Sequence, residues 1–415
     1  MKYEWIPLYG INYNIGIDGI SFIFIFLVNF SFFLSALLNF NKNNKGPLTN
    51  KSSFSLLLIL QSMLLAFYMS LDLFQMFTFF FIMIIPVFFL LLMNREDENS
   101  RTDVIRFTTL SLLSSLLFLL VILGLYFANG ATRGSFDLLK LYEVGPWIKN
   151  IEIFHNYFDL NNILFFLMLL AISIRMFLVP FHKELHTIFN SKYISNSNSE
   201  LLILSLFPAT GIYLILKILI PLFSESMVKN SIHCTEYASF GILYASIGML
   251  VDRRTKKYNN EEKEEKISYY NYLFLTSTLF LSITTLEHRA ISFGLVLLSF
   301  ISIFTFFLKF KLPINTLIPS LIIINIILGM FERAKFYSLI ILFLFFISIC
   351  IIFNYSYKKF FDLKYNKEIK KYHIFEKLFL FITIISLLVV CVYPTPVNDI
   401  FRKPLKQLEV FLDNY

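Results

Sequence analysis

Charge is what this 415-residue sequence has least of: Asp, Glu, Lys and Arg together make up 15% of it, where soluble chains carry roughly a quarter. That scarcity, with 57% hydrophobic residues and a mean hydropathy of +0.69, excludes a water-soluble fold and leaves no stretch for a separate soluble domain. Cysteine is equally sparse. Cys234, Cys350 and Cys391 lie far apart in or beside apolar segments, which excludes a disulfide framework, a cysteine-rich metal site and an iron–sulfur quartet. Gly-rich phosphate loops and flavin fingerprints are missing as well. Met1 to Asn14 has neither the charged and apolar regions of a secretory signal nor the arginines of a transit peptide.

Long apolar runs are what the chain has in abundance. About twelve candidate spans, each near the ~20 residues a helix needs to cross a bilayer, recur from end to end. They run approximately 17–40, 53–71, 72–93, 104–128, 160–182, 199–224, 234–251, 268–286, 289–309, 312–331, 334–354 and 374–394. Backbone groups in hydrocarbon must be satisfied internally, and the runs are too long for barrel strands, so the expected fold is an all-α polytopic bundle. The chain reads as one membrane domain, with the first four helices in 17–128, an extramembrane loop at 129–159, central helices in 160–354, a last helix at 374–394 and a tail at 395–415. Trp147 suits an interfacial anchor, and the mixed-charge run Asn259 to Lys266 reads as a solvated loop. The net charge of +8 sits in loops beside spans rather than along a helix face, which points to orientation and anchoring rather than nucleic-acid binding. Loops after odd-numbered spans hold most of it, placing them on the cytoplasmic or matrix side and both termini opposite. Heavy use of Phe, Ile, Asn and Lys suggests an AT-rich, organelle-type genome.

Several short motifs follow one another in a fixed order. Gly16-Ile17-Asp18-Gly19-Ile20-Ser21 leads into an apolar helix; Asp72-Leu73-Phe74 opens another that ends near Ile85-Pro86. Asn94-Arg95-Glu96, Arg106-Phe107, Ser114-Ser115, Tyr126 and Gly130 come next, then Pro180-Phe181-His182, Gly211-Ile212-Tyr213 with Lys217, Pro221-Leu222-Phe223 and a closing Val392-Tyr393-Pro394-Thr395-Pro396. In this order they resemble subunit 4 of the proton-pumping NADH dehydrogenase, respiratory complex I. The resemblance implies an antiporter-like bundle with inverted repeats and helices broken by proline. In that family the first motif precedes the third helix, so the reading expects this chain to lack the leading pair, with the pair lost or supplied by another polypeptide.

The resemblance also implies where ionisable residues should lie, since a charge at midplane depth costs several kcal/mol and persists only if paired, hydrated or useful. Arg175 falls where the family carries its central lysine. It is either a snorkelling or salt-bridged arginine or a group on a proton path, and an arginine sets a field but does not release its proton. The partner glutamate position falls on Phe81 and the next lysine position on Ala209, so both charges are lost. The family's second carboxylate aligns with apolar residues such as Ile327, and its histidine near Leu297. Lys217 matches a family arginine and reads as an interfacial anchor or a group on the proton path. His182, Glu184 and His186 stand at the end of the Arg175 span. The spacing of the two histidines suits a solvated helix end, a proton entry or a metal site, and Pro180 stands to interrupt the helix.

What the resemblance implies is a membrane-arm subunit of complex I in the mitochondrial inner membrane, organelle-encoded and chiefly structural because its own proton path is degenerate. It holds no cofactor or metal itself; FMN, iron–sulfur clusters and ubiquinone belong to other subunits. Partners are neighbours of the subunit 2 and subunit 5 types and membrane lipids, with no nucleic acid. The competing reading, a stand-alone cation/proton antiporter, shares the fold but requires the lysine and glutamate couple.

Overall fold

The computed structural model describes residues 2–40, 51–93, 95, 98–128, 136–144, 160–185, 188, 198–254, 260–308, 317–330, 339–343 and 346. Within them the protein is helical apart from one small hairpin, β1 (Lys2–Ile6) paired antiparallel with β2 (Ile11–Asn14). The spans 334–354 and 374–394, the tail, Trp147, His186, Cys350 and Cys391 lie wholly or largely outside the described residues.

The helices are α1 (Gly19–Phe40), α2 (Lys51–Met69), α3 (Leu73–Ile82), α4 (Ile84–Leu92), α5 (Glu98–Ala128), α6 (Leu138–Val144) and α7 (Leu160–Arg175). They continue as α8 (Asn198–Leu214), α9 (Ser224–Arg254), α10 (Asn260–Thr284), α11 (His288–Leu308) and α12 (Leu317–Met330). Among the described residues six helical segments are long and apolar enough to cross a membrane: Gly19–Ala36, Ser52–Met69, Leu73–Leu92, Glu98–Ala128, Leu202–Leu222 and Ser224–Asp252. The expected span at 72–93 is two helices broken at Met83. The expected loop run Asn260 to Lys266 instead forms the first turns of α10, because Glu and Lys are good helix formers and acids suit a helix N-terminus.

At the centre stands α8, continued by a π-helical stretch Ile215–Leu219 and a last turn Ile220–Leu222. Its membrane segment Leu202–Leu222 is wholly buried, packed by α1, α4, α7 and α11. The outer helices α1, α5 and α9 turn large apolar residues outward, among them Phe22, Phe26, Phe33, Leu116, Leu120, Phe240 and Ile247. Such faces are stable against hydrocarbon, and what joins the helices is close packing and interhelical hydrogen bonding rather than burial from water.

Prolines in α8 and in the turn that continues it create specific demands. Pro208 has no N–H for the carbonyl of Leu204, and the Tyr272 hydroxyl on α10 donates to that carbonyl at 2.6 Å. Pro221 likewise has none for the carbonyl of Lys217, and the Tyr142 hydroxyl on α6 donates there. Gly211 lets α7 come close, since a Cβ there would lie 2.5 Å from Met176 Cγ.

Candidate functional site

Polar groups string along α8 from end to end. Glu200 lies near its start, Thr210 and Tyr213 in the middle and Lys217 in the π-helical stretch. At ~1.5 Å per residue, Glu200 and Lys217 stand about 25 Å apart along the axis, close to the thickness of a hydrocarbon core.

At the Lys217 end, Lys217 Nζ donates to Asp18 Oδ2. Asp18 also accepts from the Ser21 N–H at 2.8 Å, capping α1. The side chain of Lys217 is 5% exposed and that of Asp18 36%. Burial opposes ionisation of Asp18, but the charge and hydrogen bond of Lys217, with those of Ser21, hold its carboxyl below the ordinary value of 3.8. Beyond it, Tyr213 Oη lies 3.0 Å from Ser21 Oγ and donates to the carbonyl of Tyr68 at 2.8 Å. Lys217 is therefore no interfacial anchor: the end of α8 is enclosed by α1 and α6, and the ammonium meets a carboxylate before it can reach water.

The same side of the bundle holds Asp72, which caps α3 by accepting from the N–H groups of Phe74 (3.0 Å) and Gln75 (3.3 Å) and ties down the hairpin through the Asn12 N–H (3.1 Å). Burial pushes its carboxyl above the usual range and Asp137 adds to that, with the three N–H donors acting against it.

In the middle, Arg175 is the last residue of α7 and 1% exposed. The helix stops there because Phe177 turns left-handed (φ 58), its N–H bonding Ile174 O and that of Leu178 bonding Ser173 O. These two bonds form the common glycine-type helix ending, here made by a phenylalanine. The strain is offset by stacking of Phe177 on Phe207, with ring centroids 5.7 Å apart and planes 5° from parallel. A cation at this point faces the negative pole of the helix. The Arg175 guanidinium lies 4.4 Å from the Phe80 ring centroid and 3.9 Å from that of Phe207. Its Nε donates to Thr210 Oγ1 at 3.2 Å and Nη2 to Met83 Sδ at 3.1 Å. Among the described ion pairs none involves Arg175. Aromatic rings occupy the place of a counter-ion. Phe81 is half-buried and packs near Phe77, with centroids 5.9 Å apart, while Ala209, Leu297 and Ile327 are buried.

At the far end, Arg95 Nη2 pairs with Glu200 Oε1 at 3.0 Å, both buried. The sequence reading passed over Glu200, although an acid at the mouth of an apolar run was the available signal. His182 lies in a 3-10 turn, Phe181–Glu184, and not on α7. Its Nε2 lies 2.9 Å from the Tyr244 hydroxyl, and Tyr269 donates to its carbonyl at 3.2 Å. The helical face expected for His182 and His186 involves a residue, His186, outside the described ones. The structure brings together Asp18 with Lys217 and Arg95 with Glu200, and it keeps Arg175, His182 and Lys217 in three separate clusters.

Residues 70–258 match the family described as NADH:quinone oxidoreductase/Mrp antiporter, TM. The NADH-quinone oxidoreductase subunit M of Rickettsia prowazekii is 23% identical over 259 residues, covering 62% of this chain and 48% of that protein. NADH-ubiquinone oxidoreductase chain 4 of Marchantia polymorpha is 32% identical over 129 residues, 31% of this chain and 26% of that one. The chain thus spans about half, or less, of the length of these relatives. A chain in the structure of respiratory complex I from Thermus thermophilus with bound NADH superposes with a TM-score of 0.76 at 18% identity, over 99% of this chain and 89% of that one.

Proposed function

We propose that the protein is an antiporter-like membrane-arm subunit of respiratory complex I that serves chiefly as a scaffold, a reading supported by the match of residues 70–258 to the NADH:quinone oxidoreductase/Mrp antiporter transmembrane family. The relatives named for subunit M and chain 4 support membership of the complex. The scaffold role rests on one observation, the aromatic enclosure of Arg175. A guanidinium held between Phe80 and Phe207 does not exchange its proton at working pH, and Phe81 and Ala209 offer no second station.

In this reading the complex works in the mitochondrial inner membrane. Its FMN, iron–sulfur clusters and ubiquinone are held by other subunits, the immediate neighbours are of the subunit 2 and subunit 5 types, and lipids coat the remaining surface. The outward apolar faces of α1, α5 and α9 suit either kind of neighbour. The deciding experiment is a native gel of gently solubilised organelle membranes with the chain located by mass spectrometry. Co-migration with NADH dehydrogenase activity is expected. Migration as a small separate species would overturn the reading in favour of a stand-alone antiporter.

A further inference from the structure

Two carboxamides face outward at the level where a membrane is driest. Asn29 on α1 is exposed and Gln61 on α2 half-buried, and Gln61 Nε2 donates to Asn29 Oδ1 at 2.9 Å. Both lie near the middle of their membrane segments, Gly19–Ala36 and Ser52–Met69. At ~1.5 Å per residue Asn29 stands about 16 Å along α1 from Asp18, close to half the thickness of a hydrocarbon core. The hydroxyls of Ser55 and Ser62 on α2 turn back on their own helix, donating to Ser52 O and Ile59 O at 2.8 Å each. A carboxamide has too many hydrogen-bonding groups for that solution.

Asn29 Nδ2 gives one proton to Ile25 O at 2.9 Å. One N–H of each amide and the carbonyl oxygen of Gln61, Oε1, are then left without a partner among the described residues. Hydrocarbon offers neither donor nor acceptor, so a polar pair held at mid-depth on an outward face marks contact with protein.

The surroundings say what kind of protein. Phe26 and Phe33 stand one turn to either side of Asn29, 63% and 59% exposed, and Leu58, one turn from Gln61, is 51% exposed. Helices in membranes approach closely through small residues. A second copy of this chain, presenting the same stripe, would set phenylalanine against phenylalanine and hold the two amide pairs apart. Acyl chains would cover the rings and leave the amides bare. A helix with small residues at this level fits between the rings and brings a polar side chain of its own to the amides.

We propose that Asn29 and Gln61 form the centre of a docking surface for one transmembrane helix of a different polypeptide, with serine, threonine, asparagine or glutamine at mid-depth flanked by small residues. That side chain donates to Gln61 Oε1 and accepts from a free amide N–H. The assignment rests on the amide pair and its flanking rings, and it holds whichever assembly the chain joins.

The test is a cryo-electron-microscopy map, at side-chain resolution, of the assembly purified with this chain from its native membranes. A transmembrane helix of another polypeptide is expected over α1 and α2, with a polar side chain within hydrogen-bond distance of Gln61. Acyl chains over the amides, a second copy of this chain, a helix that is apolar at this level, or a map of the chain alone would each overturn the proposal. Gln61→Met keeps the length of the side chain and removes the amide, so the partner should be retained roughly tenfold less through a detergent wash. Unchanged retention overturns the proposal as well. The map requires no substitution and decides the question even where Gln61→Met does not fold.

Discussion

The pair formed by Asp18 and Lys217 is lopsided, and the imbalance decides what each substitution does. Asp18→Asn strands a nearly buried ammonium and is expected to cost about 3 kcal/mol, while Lys217→Met leaves a carboxylate that keeps the Ser21 N–H and part of its water, for less than about 1 kcal/mol. Unfolding midpoints of the two variants in the same detergent check the order. The pair also sets a pH dependence. The folded-state carboxyl of Asp18 lies below its ordinary value of 3.8, so its contribution to stability is complete above that value and is lost as pH falls through the folded one. Asp72, pushed upward, acts in the opposite sense, gaining stability as pH falls through its raised value. The wild type should therefore lose stability below about pH 4, and Asp18→Asn should flatten that limb of a midpoint-against-pH curve.

Among the helices, α8 shows how a proline-containing segment remains satisfied in a dry interior. The carbonyl that Pro208 leaves bare on Leu204 receives the Tyr272 hydroxyl from α10. Tyr272→Phe should cost about 1–3 kcal/mol, the penalty of a buried unsatisfied acceptor. Pro208→Ala restores a backbone N–H for the same carbonyl, so the double variant is expected to recover most of the loss, with the interaction energy read from a double-mutant cycle. Equal loss in the single and double variants would show that Tyr272 acts through packing alone. The prolines and tyrosines are evident in the sequence; their pairing is not, since Tyr272 reaches a carbonyl 68 residues away.

For the whole molecule, Arg175 joins three helical layers by touching Phe80 and Met83 around the α3–α4 break and Phe207 and Thr210 on α8. Arg175→Ala leaves a cavity costing a few kcal/mol at the centre of the bundle. It is expected to lower the amount of assembled complex on a native gel more than it alters the protons moved per electron in whatever complex forms. Normal assembly with fewer protons per electron would return a pumping role to this subunit.

Class and element type followed from the sequence alone, because scarce charge and repeated ~20-residue apolar runs have only one stable arrangement, helices in a bilayer. Motif order, from Asp18 and Asp72 to Pro180 and Gly211, pointed to the fold. The hairpin, the break at Met83, the end of α7 at Phe177 and the partners of Lys217 and Glu200 could not. Helices that are apolar all round carry no periodic stripe to say which face turns inward. Contacts such as Ser21 with Tyr213 or Asp18 with Lys217 join residues 192 and 199 apart. Which polar groups meet was decided only when α8 was enclosed, where each buried donor or acceptor takes the partner that packing brings within reach.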